Sequence, residues 1–297
     1  MSEDFDDQQW TTDSAAVDDA QSQPGIRTVN ESIYDHPKYY DLVFGADVAA
    51  ETKFILACEH TFGSGKAGWY FEPACGTGRL MYALARRGLD VCGLDLNEKA
   101  VRFCNQRLER HSLPAAAIHA DMCDFTRQNF AGILPKSRSK FGPVSVAFNT
   151  INSFRHVGSE AAARGHLECM ADIVRPGGIY LLGVHLTPTS VPPSETESWS
   201  ARRGHLAINT HMWTIDRNKK KRLEQFGIRF DVHTPSGSFR INDVLRLRSY
   251  TPLQMQRLID ASGKWESVAT YDFCYDVDDP ITVDAATEDV VYVLRRR

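Results

Sequence analysis

Glu72-Pro73-Ala74-Cys75-Gly76-Thr77-Gly78-Arg79-Leu80 is the stretch on which the reading of this chain turns. A short apolar run, Gly68-Trp69-Tyr70-Phe71, leads into it, and a helical pattern, Leu80 to Arg87, leads out. A second apolar run, Val91-Cys92-Gly93-Leu94, ends in Asp95, seventeen residues after Gly78. Strand, Gly-x-Gly turn, helix, strand and acidic residue form the layout of a nucleoside-binding βαβ unit. The glycines let backbone approach a ligand closely, and a carboxylate at the end of the second strand accepts hydrogen bonds from ribose hydroxyls.

Two ligand classes compete for this turn. A dinucleotide site needs a third small residue so that helix and strand close over the pyrophosphate; here that position is Met81. Glu72, an acid at the end of the first strand, opposes a pyrophosphate and suits a cation. The pattern acid-x-x-x-Gly-x-Gly resembles the first motif of the class I S-adenosylmethionine-dependent methyltransferases, whose cofactor carries a sulfonium, an ammonium and a ribose but no phosphate. That resemblance implies a methyltransferase that binds S-adenosylmethionine. It places Glu72, Ala74, Gly76, Gly78 and Arg79 at the methionine end, Asp95 at the ribose, and Leu96 beside the adenine. Asp121-Met122, after the third strand, matches the acidic-plus-apolar pair that flanks the adenine in this superfamily. Arg175-Pro176-Gly177-Gly178 is similar to the family's turn before strand five.

The order of elements agrees. Strands at 68–74, 90–95, 116–120, 144–148 and 179–186 alternate with helices at 78–87, 97–112 and 159–174, which predicts a parallel sheet with helices on both faces. Before the first strand, an aromatic stretch, Ile33 to Asp41, and an amphipathic helix, Ala46 to Phe62, predict a helical cap. After strand five, Pro-, Ser- and Thr-rich residues 187–198 read as a loop. Residues 205–213, 223–232 and 239–248 alternate with period two and read as a three-stranded antiparallel meander. A helix to Ala261, begun by Thr251-Pro252, and strands at 265–274 and 289–294 close the chain. The expected fold is therefore α/β: a Rossmann-like seven-stranded methyltransferase sheet with helices on both faces, an N-terminal helical cap and an antiparallel β-meander inserted after strand five. The expected organisation is a disordered acidic tail over 1–25 and one domain over 26–297, with the cap at 30–66, the core at 67–186 and 249–297, and the insertion at 187–248.

Phe148-Asn149-Thr150-Ile151-Asn152-Ser153 follows the fourth strand. Adenine and protein-amide methyltransferases carry Asn-Pro-Pro-Tyr or Asp-Pro-Pro-Tyr there, and this chain does not. Its version is similar to small-molecule enzymes related to glycine and sarcosine N-methylation, which implies a small-molecule acceptor methylated on N or O. Asn149 and Asn152 fall at the carboxyl edge of the sheet, where ligands of α/β folds bind, although strand-end turns use the same residue types. Asn149 is thus a candidate for cofactor binding and catalysis, and Asn152 for substrate binding. His156 is a candidate general base, since imidazole titrates near neutrality; a structural role is the alternative. Tyr34 and Tyr40 can lie over a sulfonium, an attraction of about 0.5–2 kcal/mol, or simply pack in the core. In the last meander strand Arg240, Arg246 and Arg248 alternate with Phe239, Ile241, Leu245 and Leu247. If the basic face looks into the site, Arg240 and Arg246 suit an anionic acceptor; the alternative is a solvated face.

Composition sets the outer limits. The chain has 297 residues, 42% of them hydrophobic, enough for a sizeable core. Residues 1–25 hold seven acidic side chains and no Lys or Arg, so the formal charge of −4 becomes about +3 for the remainder. That surplus is too small to argue for nucleic acid. The N-terminus has no signal-peptide pattern and no apolar run suits a membrane span, so a cytoplasmic protein without membrane contact is expected. Seven cysteines without a C-x-x-C pair, and histidines without ligand spacing, predict reduced thiols and no metal. Two other functions remain open: a catalytically silent S-adenosylmethionine-binding module, and an NAD-dependent oxidoreductase, which Met81 and Glu72 oppose. The oligomeric state is not legible.

Overall fold

The computed structural model describes residues 26–45, 48–133 and 142–297. The acidic segment 1–25, Ala46 and the basic stretch 136–140 lie outside them. The chain opens with a short strand, β1 (Arg27–Asn30), a 3-10 turn at Ile33–Asp35, and two helices, α1 (Pro37–Val43) and α2 (Val48–Phe62). The alternating part follows: β2 (Trp69–Pro73), α3 (Arg79–Ala85), β3 (Val91–Asp95), α4 (Glu98–Arg110), β4 (Ala117–His119), β5 (Val144–Asn149), α5 (Glu160–Ile173) and β6 (Val174–His185). Four strands come next: β7 (Thr196–Arg203), β8 (Leu206–Asn218), β9 (Leu223–Thr234) and β10 (Gly237–Arg248). The last elements are α6 (Pro252–Ser262), β11 (Trp265–Tyr271) and β12 (Asp289–Arg296).

Seven strands form one mixed sheet in the order β11-β12-β6-β5-β2-β3-β4, parallel from β6 to β4 and antiparallel at β12. All residues of β2 and β5 are buried, as a parallel strand covered on both faces requires. One face packs on α5 and α6 through Leu167, Met170, Leu258 and Ile259; the other packs on α2, α3 and α4 through Phe54, Leu80, Leu84 and Leu108. Local signals set the helix starts. Asn97 Oδ1 accepts from Ala100 N at 3.1 Å and Ser159 Oγ from Ala162 N at 3.0 Å. Thr251 and Gln254 form a reciprocal capping box in front of α6. No described helix is long and apolar enough to cross a membrane.

The α/β expectation holds, with one addition. The antiparallel meander β8-β9-β10 is present, but two further strands extend it to a five-stranded sheet, β1-β10-β9-β8-β7: β7 from the insertion itself and β1 from the N-terminal segment. β1 pairs in parallel with β10, Val29 opposite Ile241. β7 pairs antiparallel with β8, Trp199 opposite Thr210. Both added strands are short or polar edge strands, Arg-Thr-Val-Asn and Thr-Glu-Ser-Trp-Ser-Ala-Arg-Arg, so neither carries the alternation that marks a half-buried strand. The apolar side of this sheet, Ile208, Ile228, Phe230, Val232 and Ile241, buries Ile33 of the 3-10 turn and Leu42 and Val43 of α1. The cap is thereby held against the insertion sheet.

Candidate active site

The glycine turn sets the geometry. Gly76 and Gly78 have φ of +53° and +68°, a backbone region that L side chains rarely adopt. A Cβ on Gly78 would also lie 2.2 Å from Cys104 Sγ on α4. Gly78 therefore lets α3 and α4 close, and it is not among the residues that line the cavities described below. The turn frees backbone N–H groups, and Asp95 takes one of them: Gly76 N donates to Asp95 Oδ2 at 2.7 Å, and Asn97 N to Oδ1 at 2.8 Å. Burial pushes the Asp95 carboxyl up, and those two N–H donors pull it back.

Three spaces meet above the carboxyl ends of β2, β3 and β5. The first is a cavity of about 490 Å³ bordered by Tyr34, Tyr40, Ala74, Gly76, Asp95, Leu96, Asp121, Met122 and His156. Leu96 is 68% exposed, an apolar surface of the kind a flat ring covers. The second is a recess of about 40 Å³ bordered by Tyr40, Glu72, Ala74, Gly76, Arg79 and Asn149. The third, about 270 Å³, lies beneath the insertion sheet, and Asn152 and His156 line it. Tyr40 and Ser153 line all three.

One carboxyl, Glu72, and one guanidinium, Arg79, line the recess. Glu72 is buried with Oε2 lacking any hydrogen-bond partner. Burial pushes its carboxyl well above the usual carboxylate range, and the Arg79 guanidinium opposes that rise. Arg79 is itself committed to Glu51: both oxygens of Glu51 accept from it, one at 2.8 Å, and Thr150 Oγ1 donates there as well. Asn149 Nδ2 donates to Pro73 O at 3.3 Å, tying β5 to the end of β2. An orphaned buried carboxylate oxygen, a glycine turn pressed on Tyr40, and a carboxylate at the end of β3 fit a ligand with a cation at one end and a nucleoside at the other. Tyr40 supplies an aromatic face beside them; its ring meets Tyr34 at 5.3 Å, and burial pushes its phenol up to about 12.

His156 sits between the large cavity and the third. Its Nε2 and the Tyr34 hydroxyl lie 2.8 Å apart, so one nitrogen is engaged by Tyr34, and the ring is exposed to solvent on the cavity wall. Asn152 has φ +52° and its Oδ1 accepts from His185 N at 2.9 Å.

The arginines of β10 lie away from the third cavity. Arg240 pairs with Asp231 at 2.6 Å, Arg246 is exposed, and Arg248 pairs with Glu160 at 3.0 Å. None is among the residues lining the third cavity, whereas Leu245 and Leu247 of the same strand are. Alternate strand residues face opposite sides; the apolar set packs on the cap, and on the other face Arg240 and Arg248 are buried in ion pairs while Arg246 is exposed. The sequence reading missed the cavity's polar floor. Arg155 is buried and donates to Glu224 Oε2, while Thr187 Oγ1 donates to Glu224 Oε1 at 3.1 Å. Arg217 stands 3.7 Å from the same carboxylate. His185 Nδ1 and Asp289 Oδ1 are 2.8 Å apart. The one sequence signal for these groups was polar residues at strand ends in an apolar context: His185 ends β6 and Asp289 starts β12.

Comparison with known proteins agrees with this geometry. Residues 71–178 match a family model described as a methyltransferase domain. A putative methyltransferase of Bacillus subtilis (strain 168), YqeM, is 27% identical over 118 residues, which span 40% of this chain and 42% of that protein. Among solved structures, a S-adenosylmethionine-dependent methyltransferase from Clostridium acetobutylicum superposes with a TM-score of 0.66 at 15% identity, covering 89% of this chain and 99% of that one. The S-adenosylmethionine-bound CalS10 of Micromonospora echinaspora, described as an amino pentose methyltransferase, superposes with a TM-score of 0.62 at 17% identity, covering 91% and 98%. At these identities the structural likeness is one of fold. Strand order and glycine turn accord with the methyltransferase-domain model matched over residues 71–178 and with the fold of S-adenosylmethionine-dependent methyltransferases.

Proposed function

We propose that the protein, as one domain over residues 26–297, transfers the methyl group of S-adenosylmethionine to an N or O atom of a small molecule held beneath the insertion sheet. The observation that carries this reading is the junction at Tyr40 and Ser153, the residues common to recess, large cavity and third cavity. When bound, the cofactor supplies an electrophilic methyl group on a cationic sulfur. Glu72 holds the ammonium of the methionine end, Asp95 accepts from the ribose hydroxyls, and Asp121 and Met122 border the adenine. Tyr40 faces the sulfonium side of the junction, where an aromatic face attracts a cation. Asn149 ties the ends of β2 and β5 together, and His156 fixes the Tyr34 ring. The cap and insertion sheet orient the acceptor and keep water out; orientation of this kind supplies about 7–11 kcal/mol of a barrier. A small-molecule acceptor is further supported by the size of the third cavity, about 270 Å³, and by the amino pentose activity ascribed to CalS10.

Calorimetry tests the reading. S-adenosylmethionine and S-adenosylhomocysteine bind, NAD does not, and Asp95→Ala weakens binding by about 1–3 kcal/mol, the cost of leaving polar partners unpaired. An unchanged dissociation constant in Asp95→Ala removes Asp95 from the site, and preferential NAD binding overturns the whole assignment. Release of S-adenosylhomocysteine in a screen of amines and hydroxy compounds separates an active enzyme from a silent binding module.

A further inference from the structure

Two features of the third cavity go beyond methyl transfer in general. The first is a histidine–carboxylate pair at its floor. His185 and Asp289 are directly opposite each other in the β6–β12 register, at the carboxyl edge of the main sheet. Both line the cavity, as do Asn152 and Ser153. A carboxylate only accepts hydrogen bonds, so Nδ1 of His185 donates to Asp289 Oδ1 at 2.8 Å, and Nε2 keeps its lone pair. That nitrogen has no hydrogen-bond partner among the described residues. Asn152, itself beside the junction, holds the His185 backbone. By contrast His156 Nε2 is engaged by Tyr34.

The second feature is charge. Glu195, Glu197, Glu224 and Asp289 line the cavity, against the guanidinium groups of Arg155 and Arg217. Both arginines belong to Glu224, the first in contact and the second 3.7 Å away. Glu195 and Glu197 are exposed at the β7 end and have no ion-pair partner among the described residues. The walls between are aromatic and apolar, with Trp199, Trp213 and Phe226. A net negative cavity with aromatic walls favours a cation over a neutral hydroxyl or a carboxylate.

Resting on the methyltransferase reading, we infer that the acceptor is a protonated amine with an apolar body, and that His185 Nε2 takes its proton. An ammonium has no lone pair to attack with. The proton passes from the amine nitrogen to His185 Nε2, the freed lone pair forms the new N–CH3 bond, and the S–CH3 bond breaks with its electron pair returning to sulfur. Sulfur loses its positive charge and His185 gains one, beside Asp289. Asp289 is the positioning residue, setting the tautomer and orientation of the ring.

The test uses the full chain and three probes of one shape: tryptamine, indole-3-ethanol and indole-3-propionate. Affinity of the wild-type protein for S-adenosylhomocysteine is measured first, and failure to bind it sinks the methyltransferase reading itself. On the complex with S-adenosylhomocysteine, tryptamine should bind at least tenfold tighter than the other two probes. The E195Q/E197Q double variant should reduce that margin to under threefold. With S-adenosylmethionine, the wild-type protein should release S-adenosylhomocysteine in the presence of tryptamine. H185Q should lose at least about a hundredfold in kcat and D289N about tenfold, with S-adenosylhomocysteine affinity changed less than twofold. H185A should regain turnover with added imidazole, which a merely structural role would not allow. Equal or tighter binding of the hydroxyl or carboxylate probe, no turnover of tryptamine, or wild-type turnover in H185Q overturns the inference.

Discussion

Glu72 carries the clearest conflict between stability and ligand binding. Its Oε2 is buried without a partner, and burial raises its carboxyl well above the usual range. The folded state therefore holds the proton more tightly than the unfolded chain does. The protonated carboxyl favours the fold at pH below the ordinary glutamate range, and that contribution is lost as pH rises through the raised folded value. Glu72→Gln should leave the melting temperature unchanged near pH 4 and raise it at pH 8. The same substitution should weaken S-adenosylmethionine by about 1.5–3 kcal/mol, the worth of a hydrogen bond to a charged group. Binding of a cation at Glu72 also demands the carboxylate, so affinity should increase with pH and calorimetry in buffers of different ionisation enthalpy should detect proton release. Pure destabilisation by Glu72→Gln at pH 8 would contradict both the burial argument and the assigned role.

At the scale of elements, the insertion sheet shapes the third cavity through one missing side chain. Gly227 of β9 lies opposite Trp213 of β8, and a Cβ on it would come within 2.2–2.8 Å of the Trp213 ring. The indole lies over the bare backbone and presents itself to the cavity. Gly227→Ala should displace Trp213, changing the acceptor KM while S-adenosylmethionine affinity stays within twofold. A structure of the variant with the indole unmoved would refute the argument. Several elements were legible before folding because their signals are local: the Gly-x-Gly turn, the Asn97 and Thr251 caps, and the period-two runs of β8, β9 and β10. The strands β1 and β7 were not, since an edge strand is defined by its neighbour's unpaired backbone and needs no apolar pattern of its own.

For the molecule as a whole, Asp41 on α1 is the point where the parts join. Its Oδ1 accepts from Thr77 Oγ1 of the glycine turn at 2.9 Å, and its Oδ2 from Arg107 of α4 at 2.5 Å and Arg203 of β7 at 3.3 Å. Cap, cofactor turn, core helix and insertion sheet thus share one buried carboxylate, 3% exposed. Asp41→Ala should cost about 3–5 kcal/mol, because it leaves Arg107 half-enclosed and unpaired. Arg203→Ala, at a side chain 65% exposed, should cost under about 1 kcal/mol. Urea unfolding measures both, and hydrogen exchange over residues 33–44 should quicken in Asp41→Ala alone. Equal effects of the two substitutions would mean that Asp41 does not join the parts.

The sequence alone determined the sheet and the local geometry of the glycine turn. Glu72, Gly76 and Asp95 stand within one βαβ unit, and short-range chain geometry leaves that unit little choice of where its turn points. Tertiary structure decided the third cavity. His185 and Asp289 meet in the β6–β12 pair of the main sheet, while Glu224 reaches Arg155 only when β9 of the insertion sheet packs over the turn after β5. It also decided which way β10 faces. The alternation of Arg240, Arg246 and Arg248 with Ile241, Leu245 and Leu247 was readable as two faces. Which face met the cavity depended on the apolar surface of α1, a partner some two hundred residues away in the chain.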